Sequence, residues 1–292
     1  MEFDEGVVVC GRRFGRPELE DIRAIIARRP ALNRRQIATA TCECLSWTGA
    51  NGKLKEMSCR VALLRLEKLG LIELPPPRNR NGNGKAYRSV AASRLLYDAA
   101  VEQRVRDFTR LDLKIVASRG ESRTWNDLIH RFHYLGYQPL PGAQLRYLVD
   151  SDRGILGALG FGASAWKVAP RDQWIGWTSK QREERLHLIV NNARFLILPW
   201  VKSPNLASWI LARCARRIAV DFESRYAYGP VLLETFVERE RFRGTCYAAA
   251  NWQYLGETQG RGKMDVKRER ALPVKKIYVY PLVDNFRAAL CG

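Results

Sequence analysis

The chain has 292 residues, enough for one small domain and one of ordinary size. Lys and Arg total 49 against 30 Asp and Glu, a net charge of +19, so the partner to expect is a polyanion, with nucleic acid first. No apolar run approaches the ~20 residues of a membrane span, and no basic amphipathic helix with an unbroken apolar face stands out, so a membrane role is not expected. The acidic opening Met1-Glu-Phe-Asp-Glu5 lacks the basic-then-apolar pattern of a signal peptide. Seven cysteines without framework spacing read as reduced thiols, and the expected location is the bacterial cytoplasm.

Residues 1–90 read as a winged helix-turn-helix. Pro17 to Arg28 carries Leu19, Ile22, Ile25 and Ile26 at helical spacing. Asn33 suits the N-cap of a second helix, Arg34 to Trp47, with Ile37, Ala40, Cys44 and Leu45 inward. A third helix, Lys55 to Lys68, has Met57, Val61, Leu64 and Leu66 on or near one side, and Gly70 ends it. Leu71 to Leu74, the bend Pro75-Pro-Pro77, a Gly/Asn loop and Lys85 to Arg88 then form a hairpin with cations at its tip. In helix-turn-helix docking the third helix enters the major groove and the wing touches the backbone. The DNA-binding candidates are therefore Lys53, Lys55, Ser58, Arg60 and Arg65, with Arg78, Arg80 and Lys85 from the wing. The plainer alternative is a winged helix used for protein contacts.

Residues 91–110 read as a connecting helix, and residues 111–292 as a mixed α/β domain, so the fold class is α+β. Leu111 to Ala117 alternates like a strand, and Thr124 to Tyr134 is helical, with Ser122 or Thr124 as cap. Two strands, Gln144 to Val149 and Gly154 to Phe161, flank a turn. A Trp-rich loop (Trp166, Trp174, Trp177) follows, then a helix from Lys180 to Val190. Arg194 to Pro199 is a strand, Trp200 to Asn205 a turn, Leu206 to Cys214 a helix and Val231 to Val237 a strand. A short helix follows Gly244, and Lys276 to Tyr280 is the last strand.

The run from Arg194 to Thr258 resembles the acyl-CoA-binding half of the GNAT acyltransferases. That family's Arg/Gln-x-x-Gly-x-Gly/Ala matches Lys202, Asn205 and Ala207. Asn replaces a glycine but is among the few residues that tolerate positive φ, while Pro204 removes one N–H from the loop. The resemblance implies a mixed sheet whose parallel pair splays around this loop. It also implies acyl-CoA or another acyl donor, with its pyrophosphate on backbone N–H groups and a helix N-terminus. The cofactor-binding residues would be Leu198, Trp200, Lys202, Asn205, Leu206 and Ala207. The family's Tyr-x-x-x-Gly-Phe matches Tyr247 through Asn251-Trp252, which makes Tyr247 the general acid for a leaving thiolate. Gly244 to Ala250 also resembles the phage Mom proteins, a GNAT branch that modifies adenine in DNA.

Across nearly its whole length the chain resembles the DruA proteins of Druantia anti-phage systems, which have relatives among transposon-associated proteins. The carrying segments are Gly52–Leu66, His133–Gly136, Val190–Trp200, Arg241–Tyr247, Asn251–Gly262 and Val279–Leu282. This implies DNA as a partner, with a large helicase of the same system as a second one.

Besides Tyr247, two residues are candidate catalytic groups. His133 opens the His-Tyr-Leu-Gly block and suits a general base or a substrate orienter; its plainer role is a ring stacked on Tyr134. Glu234, centred in an apolar strand, must be paired or functional; it is either a base of raised pKa or an ion-pair partner of Arg194. His130 and His133 share a helix face, but no third ligand joins them at metal-binding spacing, and Cys42, Cys44 and Cys59 suit buried thiols better than zinc. No metal is expected. Arg241, Arg243, Arg261 and Lys263 add a basic loop suited to phosphates. The three tryptophans, interleaved with Lys167, Arg171 and Lys180, suit either core packing or base stacking.

Two functions follow. One is a DNA-binding, GNAT-like transferase that modifies a nucleic acid amine. The other is a non-catalytic DNA-recognition subunit with a degenerate GNAT-like fold, serving a partner helicase or nuclease or a transposon.

Overall fold

Asn33 starts the second helix as the sequence suggests: its Oδ1 accepts the N–H groups of Arg35 and Gln36, and Gln36 Oε1 returns to the Asn33 N–H. The computed structural model describes residues 6–28, 30–49, 52–77, 100–260 and 272–292. The chain divides into two units, Met1–Lys85 and Ala86–Gly292.

In the first unit an unexpected hairpin comes first: β1 (Val7–Val9) pairs with β2 (Arg12–Phe14). Cys10 and Gly11, at φ 53° and 74°, supply the left-handed pair that a two-residue turn demands. Three helices follow, α1 (Arg16–Arg28), α2 (Arg34–Cys44) and α3 (Glu56–Lys68). Their core contains Phe14, Ile22, Ile37, Cys42, Trp47, Cys59, Leu63 and Leu66. Two facings differ from expectation. On α2 the buried thiol is Cys42, and Cys44 is exposed. On α3 the inward stripe is Cys59, Ala62, Leu63 and Leu66, while Met57, Val61 and Leu64 are 67%, 52% and 48% exposed. Both stripes have helical spacing, so periodicity alone does not choose between them. Ile72 and Leu74 are buried, but no strand forms there. The proposed wing, with Arg78, Arg80 and Lys85, lies outside the described residues, as do Arg261 and Lys263.

In the second unit the described part of the expected connecting helix is not helical beyond one 3₁₀ turn, Val105–Asp107. Instead Val101 bridges Val201 in parallel, so this segment runs as a strap along the turn before the longest helix. The elements then run β3 (Leu111–Ile115), α4 (Arg119–Phe132), β4 (Leu145–Ser151), β5 (Gly154–Ala163), α5 (Ala169–Ile175), α6 (Ser179–Arg185) and β6 (Ile189–Ile197). After these come α7 (Leu206–Tyr226), β7 (Leu232–Glu238), α8 (Thr245–Ala249), β8 (Gln253–Glu257), β9 (Lys275–Pro281) and α9 (Phe286–Cys291). Ser118, not Ser122 or Thr124, caps α4, in a capping box with Glu121.

Among the described residues, the seven strands of this unit form one sheet in the order β3-β4-β5-β6-β7-β9-β8. Every pairing is antiparallel except β6 with β7, which is parallel and lasts only from Ile189↔Leu232 to Asn191↔Glu234. Beyond that point β6 stays paired to β5 and β7 to β9, so the sheet opens between them. A bulge assists: Asn192 faces Phe161 and Arg194 faces Gly160, leaving Ala193 out of register. The helices α4 and α7 cover opposite faces. Tyr147 on β4 hydrogen-bonds Asp221 of α7, whereas its neighbour Arg146 lies over Trp125 of α4. Trp125 is seated against Gly160, where a Cβ would come within 2.8 Å of the indole.

Candidate functional site

The opening between β6 and β7 is a cavity of about 420 Å³. Its walls are Asn191 to Phe195 and Ile197 of β6, Thr235 to Val237 of β7, and Ala207 of α7. His133 to Leu135, Phe242 to Tyr247 and Lys275 complete it.

Tyr247 is buried at the first turn of α8. Gly244, in the left-handed conformation at φ 80°, starts that helix, and a Cβ there would meet Tyr278 Oη at 2.6 Å. The Tyr247 ring stacks on Tyr278 at 5.7 Å and meets Trp252 edge-on at 5.1 Å. Its hydroxyl donates to Asn192 Oδ1 at 2.8 Å. The orientation of that amide follows from its other end: Asn192 Nδ2 donates to the Arg194 carbonyl at 3.1 Å, so the oxygen faces the phenol. Thr235 Oγ1 donates to the Asn192 carbonyl at 3.0 Å and lies 3.4 Å from Tyr247 Oη. Burial raises the phenol above the ordinary tyrosine pKa, which keeps its proton in place at neutral pH.

His133 ends α4 and lines the same cavity. Its Nδ1 accepts the Leu135 N–H at 3.2 Å, so the ring proton belongs on Nε2. Burial first, then the positive charge of Arg194, lowers its pKa to about 4. A neutral imidazole with its proton on Nε2 is a donor; of the two roles expected for His133, this geometry suits the orienter better than the base. It also stacks on Tyr134 at 4.9 Å.

Glu234 does not line the cavity. It is fully buried, 2.6 Å from Arg171 Nη1, and accepts the Ala165 N–H at 2.8 Å. Arg171 is equally buried and also holds Asp172 at 2.7 Å. The expected partner Arg194 is therefore replaced by Arg171, and Glu234 ties β7 to α5. Burial raises its pKa against the pull of Arg171, and its side chain stays outside the cavity wall.

The cofactor-binding candidates are dispersed. Leu198 is in the core, its N–H spent on the Leu156 carbonyl, and Leu206 is buried too. Trp200 packs edge-on against Phe132 at 5.2 Å. The strap takes the Trp200 carbonyl and the Lys202 N–H, and Glu102 pairs with Lys202 Nζ at 3.0 Å. Asn205 adopts the left-handed conformation, φ 63°, at the start of α7. It lines a second, open groove with Pro204, Trp209, Arg104 and Arg106, while only Ala207 reaches the Tyr247 cavity.

Among the basic candidates, Arg243 lines the cavity, and Arg241 lies over the Tyr134 ring at 5.1 Å while bonding Glu238. Lys53, Lys55, Arg60 and Arg65 are exposed in the first unit and Ser58 is half-buried. Of the tryptophans, Trp177 is buried over Arg171 and Trp174 stacks on Phe286, so Trp166, 54% exposed beside Arg182, is the one open to solvent. Among the described residues no group of three or more His, Cys, Asp or Glu is placed to hold a metal, and no helix is long and apolar enough to cross a membrane.

A model of the family described as Druantia protein DruA matches residues 65–271, well over half of the chain. The chain belongs to the DruA family. No curated protein matches it. Among solved structures it is similar to an N-acetyltransferase from Staphylococcus aureus Mu50, at 9% identity over 60% of this chain and 99% of that one, TM-score 0.35. It is similar also to a polyamine N-acetyltransferase of Drosophila melanogaster, at 10% over 58% and 100%, TM-score 0.37. A third is an N-acyl amino acid synthase from uncultured soil microbes, at 11% over 59% and 90%, TM-score 0.36.

Asn192 and Thr235 were not singled out from the sequence. Both are polar residues inside apolar strands, the signal that drew attention to Glu234, and here it marks the groups around the phenol.

Proposed function

We propose that this DruA-family protein is a DNA-binding, GNAT-like transferase that modifies an amine of a nucleic acid in anti-phage defence. The reading is carried by one observation: a buried, protonated tyrosine, aimed by Asn192, lines the opening between two splayed strands. An acyl donor, with its phosphates near Asn205 to Ala207, would supply an activated thioester carbonyl. Tyr247 would hold the proton that the departing sulfur needs as the new C–N bond forms and the C–S bond breaks. His133, neutral, would orient the acceptor, and the amine's proton would leave to water. The target amine of a base is reached by extruding the base from the helix. The first unit would hold the DNA through Lys53, Lys55, Arg60 and Arg65. Cytoplasmic action beside a large helicase fits this reading.

The second reading is a non-catalytic DNA-recognition subunit. It is favoured by the strap, which spends the Lys202 N–H and neutralises the Lys202 charge at the place a donor's pyrophosphate would use. Mass spectrometry of nucleosides from DNA incubated with the protein and a cell extract separates the two. A new modified nucleoside that disappears with Tyr247→Phe supports transfer; unmodified DNA that is still bound supports recognition alone.

A further inference from the structure

Arg194, half-buried, is placed unlike Arg171. Arg171 is fully buried and answered by two carboxylates, Glu234 and Asp172. Arg194 is half-buried, donates Nη1 to the adjacent Ala193 carbonyl at 2.8 Å, and leaves its buried Nε without a partner. No described carboxylate forms an ion pair with it, and burial lowers its pKa with only Tyr134 opposing. Buried charges in proteins are paired or hold a ligand, because desolvating an unanswered charge is costly. The cavity wall sharpens the contrast: Arg194, Arg243 and Lys275 line it, and among the described residues no Asp or Glu does.

A second donor stands in the same wall. Since His133 Nδ1 accepts from the Leu135 backbone, its proton is on Nε2, and a neutral imidazole can donate there without adding charge. Two N–H donors, one of them cationic, suit an oxyanion. The groove at the start of α7, where a donor's phosphates would go, shares no wall residue with this cavity.

We infer that Arg194 is an anion-recognition residue of the acceptor site, taking an oxyanion that the acceptor carries near its amine. This rests on reading the cavity as the place of transfer. The oxyanion is the phosphate of the nucleotide to be modified if the acceptor is nucleic acid, and a carboxylate if it is a small amine.

The test is calorimetric binding to the full chain. The four deoxynucleoside monophosphates are compared with their deoxynucleosides, and free α-amino acids with their amides. One of the two series should prefer its charged member by about tenfold, and that series names the source of the anion. Arg194→Gln should abolish the preference, and Arg194→Lys should keep part of it. The ligand-free Arg194→Gln protein should melt no lower than the wild type, because the arginine has no internal counter-charge to lose. Absence of a preference in both series, or an undiminished preference in Arg194→Gln, overturns the inference. So does an equal loss of coenzyme A affinity in that variant, which would assign Arg194 to the donor. The measurement needs no turnover, so failure of the transferase reading shows separately, as unmodified DNA.

Discussion

Asn192 Oδ1 accepts the Tyr247 hydroxyl at 2.8 Å while Asn192 Nδ2 is held by the Arg194 carbonyl at 3.1 Å. The amide therefore has one orientation, and through it the bulged strand β6 sets the direction of a phenol that belongs to α8. Burial strengthens the arrangement, because an unmade hydrogen bond in a dry site costs more than one lost to water.

Tyr247→Phe keeps the ring against Tyr278 and Trp252 but leaves Asn192 Oδ1 unsatisfied. A loss of about 1–3 kcal/mol is expected in urea unfolding. If Tyr247 is the general acid, modification of DNA or protection against phage should fall ~10²–10⁴-fold, with DNA affinity unchanged. Full protection by the folded variant would remove the acid and favour recognition alone, in which case Arg241 and Arg261 substitutions should do the damage.

His133 predicts a pH dependence. Its folded pKa, about 4, lies below the ordinary 6.5, so the unfolded chain binds the proton more readily in between. The stabilisation is complete above pH 6.5 and is lost as pH falls toward 4. His133→Asn should flatten the thermal stability curve across that window. An unaltered pH profile would mean that the ring is not held neutral as described.

Glu234 separates structural from chemical roles. Removing Arg171 as Arg171→Met strands a buried carboxylate and should cost about 3–5 kcal/mol in denaturant unfolding. Glu234→Gln retains an acceptor for the Ala165 N–H, and its defect should be one of stability; if the protein is a transferase, the surviving folded variant should keep its activity. A stable Glu234→Gln protein without activity would reinstate Glu234 as a base.

How far the sequence could be read depended on whether one pattern had one structural meaning. The β6–α7–β7 order and the left-handed Asn205 were legible because Asn tolerates positive φ and α7 has an unambiguous apolar stripe. The start of β6 was not: Leu186 to Val190 is a short apolar run after a polar helix, and periodicity does not separate strand from helix there. The facing of α3 was hidden because apolar residues lie on two sides of it. Glu234 in an apolar strand demands a partner, but that partner, Arg171, is 63 residues away, on a short helix inside a Trp-rich segment without helical periodicity. The Ser118–Glu121 capping box was legible in principle, yet the apolar run that marked α4 starts later.

The exposed face of α3 offers the last prediction, on the role of the first unit. Met57, Val61 and Leu64 form an apolar stripe with Lys55, Arg60 and Arg65 exposed beside it. If the helix lies in a DNA groove, the cations neutralise phosphates, and duplex affinity should fall steeply from low to moderate salt. Each lost phosphate contact lowers the slope of log K against log salt by about 0.9. Lys55→Glu with Arg60→Glu should therefore weaken duplex binding several-fold and reduce the slope by about 2. Met57→Ser, Val61→Ser and Leu64→Ser together should leave the slope unchanged, since apolar contacts release no counterions. If the stripe instead meets a protein, such as a helicase, the pattern reverses: the serine variant loses the partner in co-purification while the charge reversals leave DNA binding intact. A chain lacking residues 1–85 that binds duplex as well as the full protein would move the main DNA contact to the second unit.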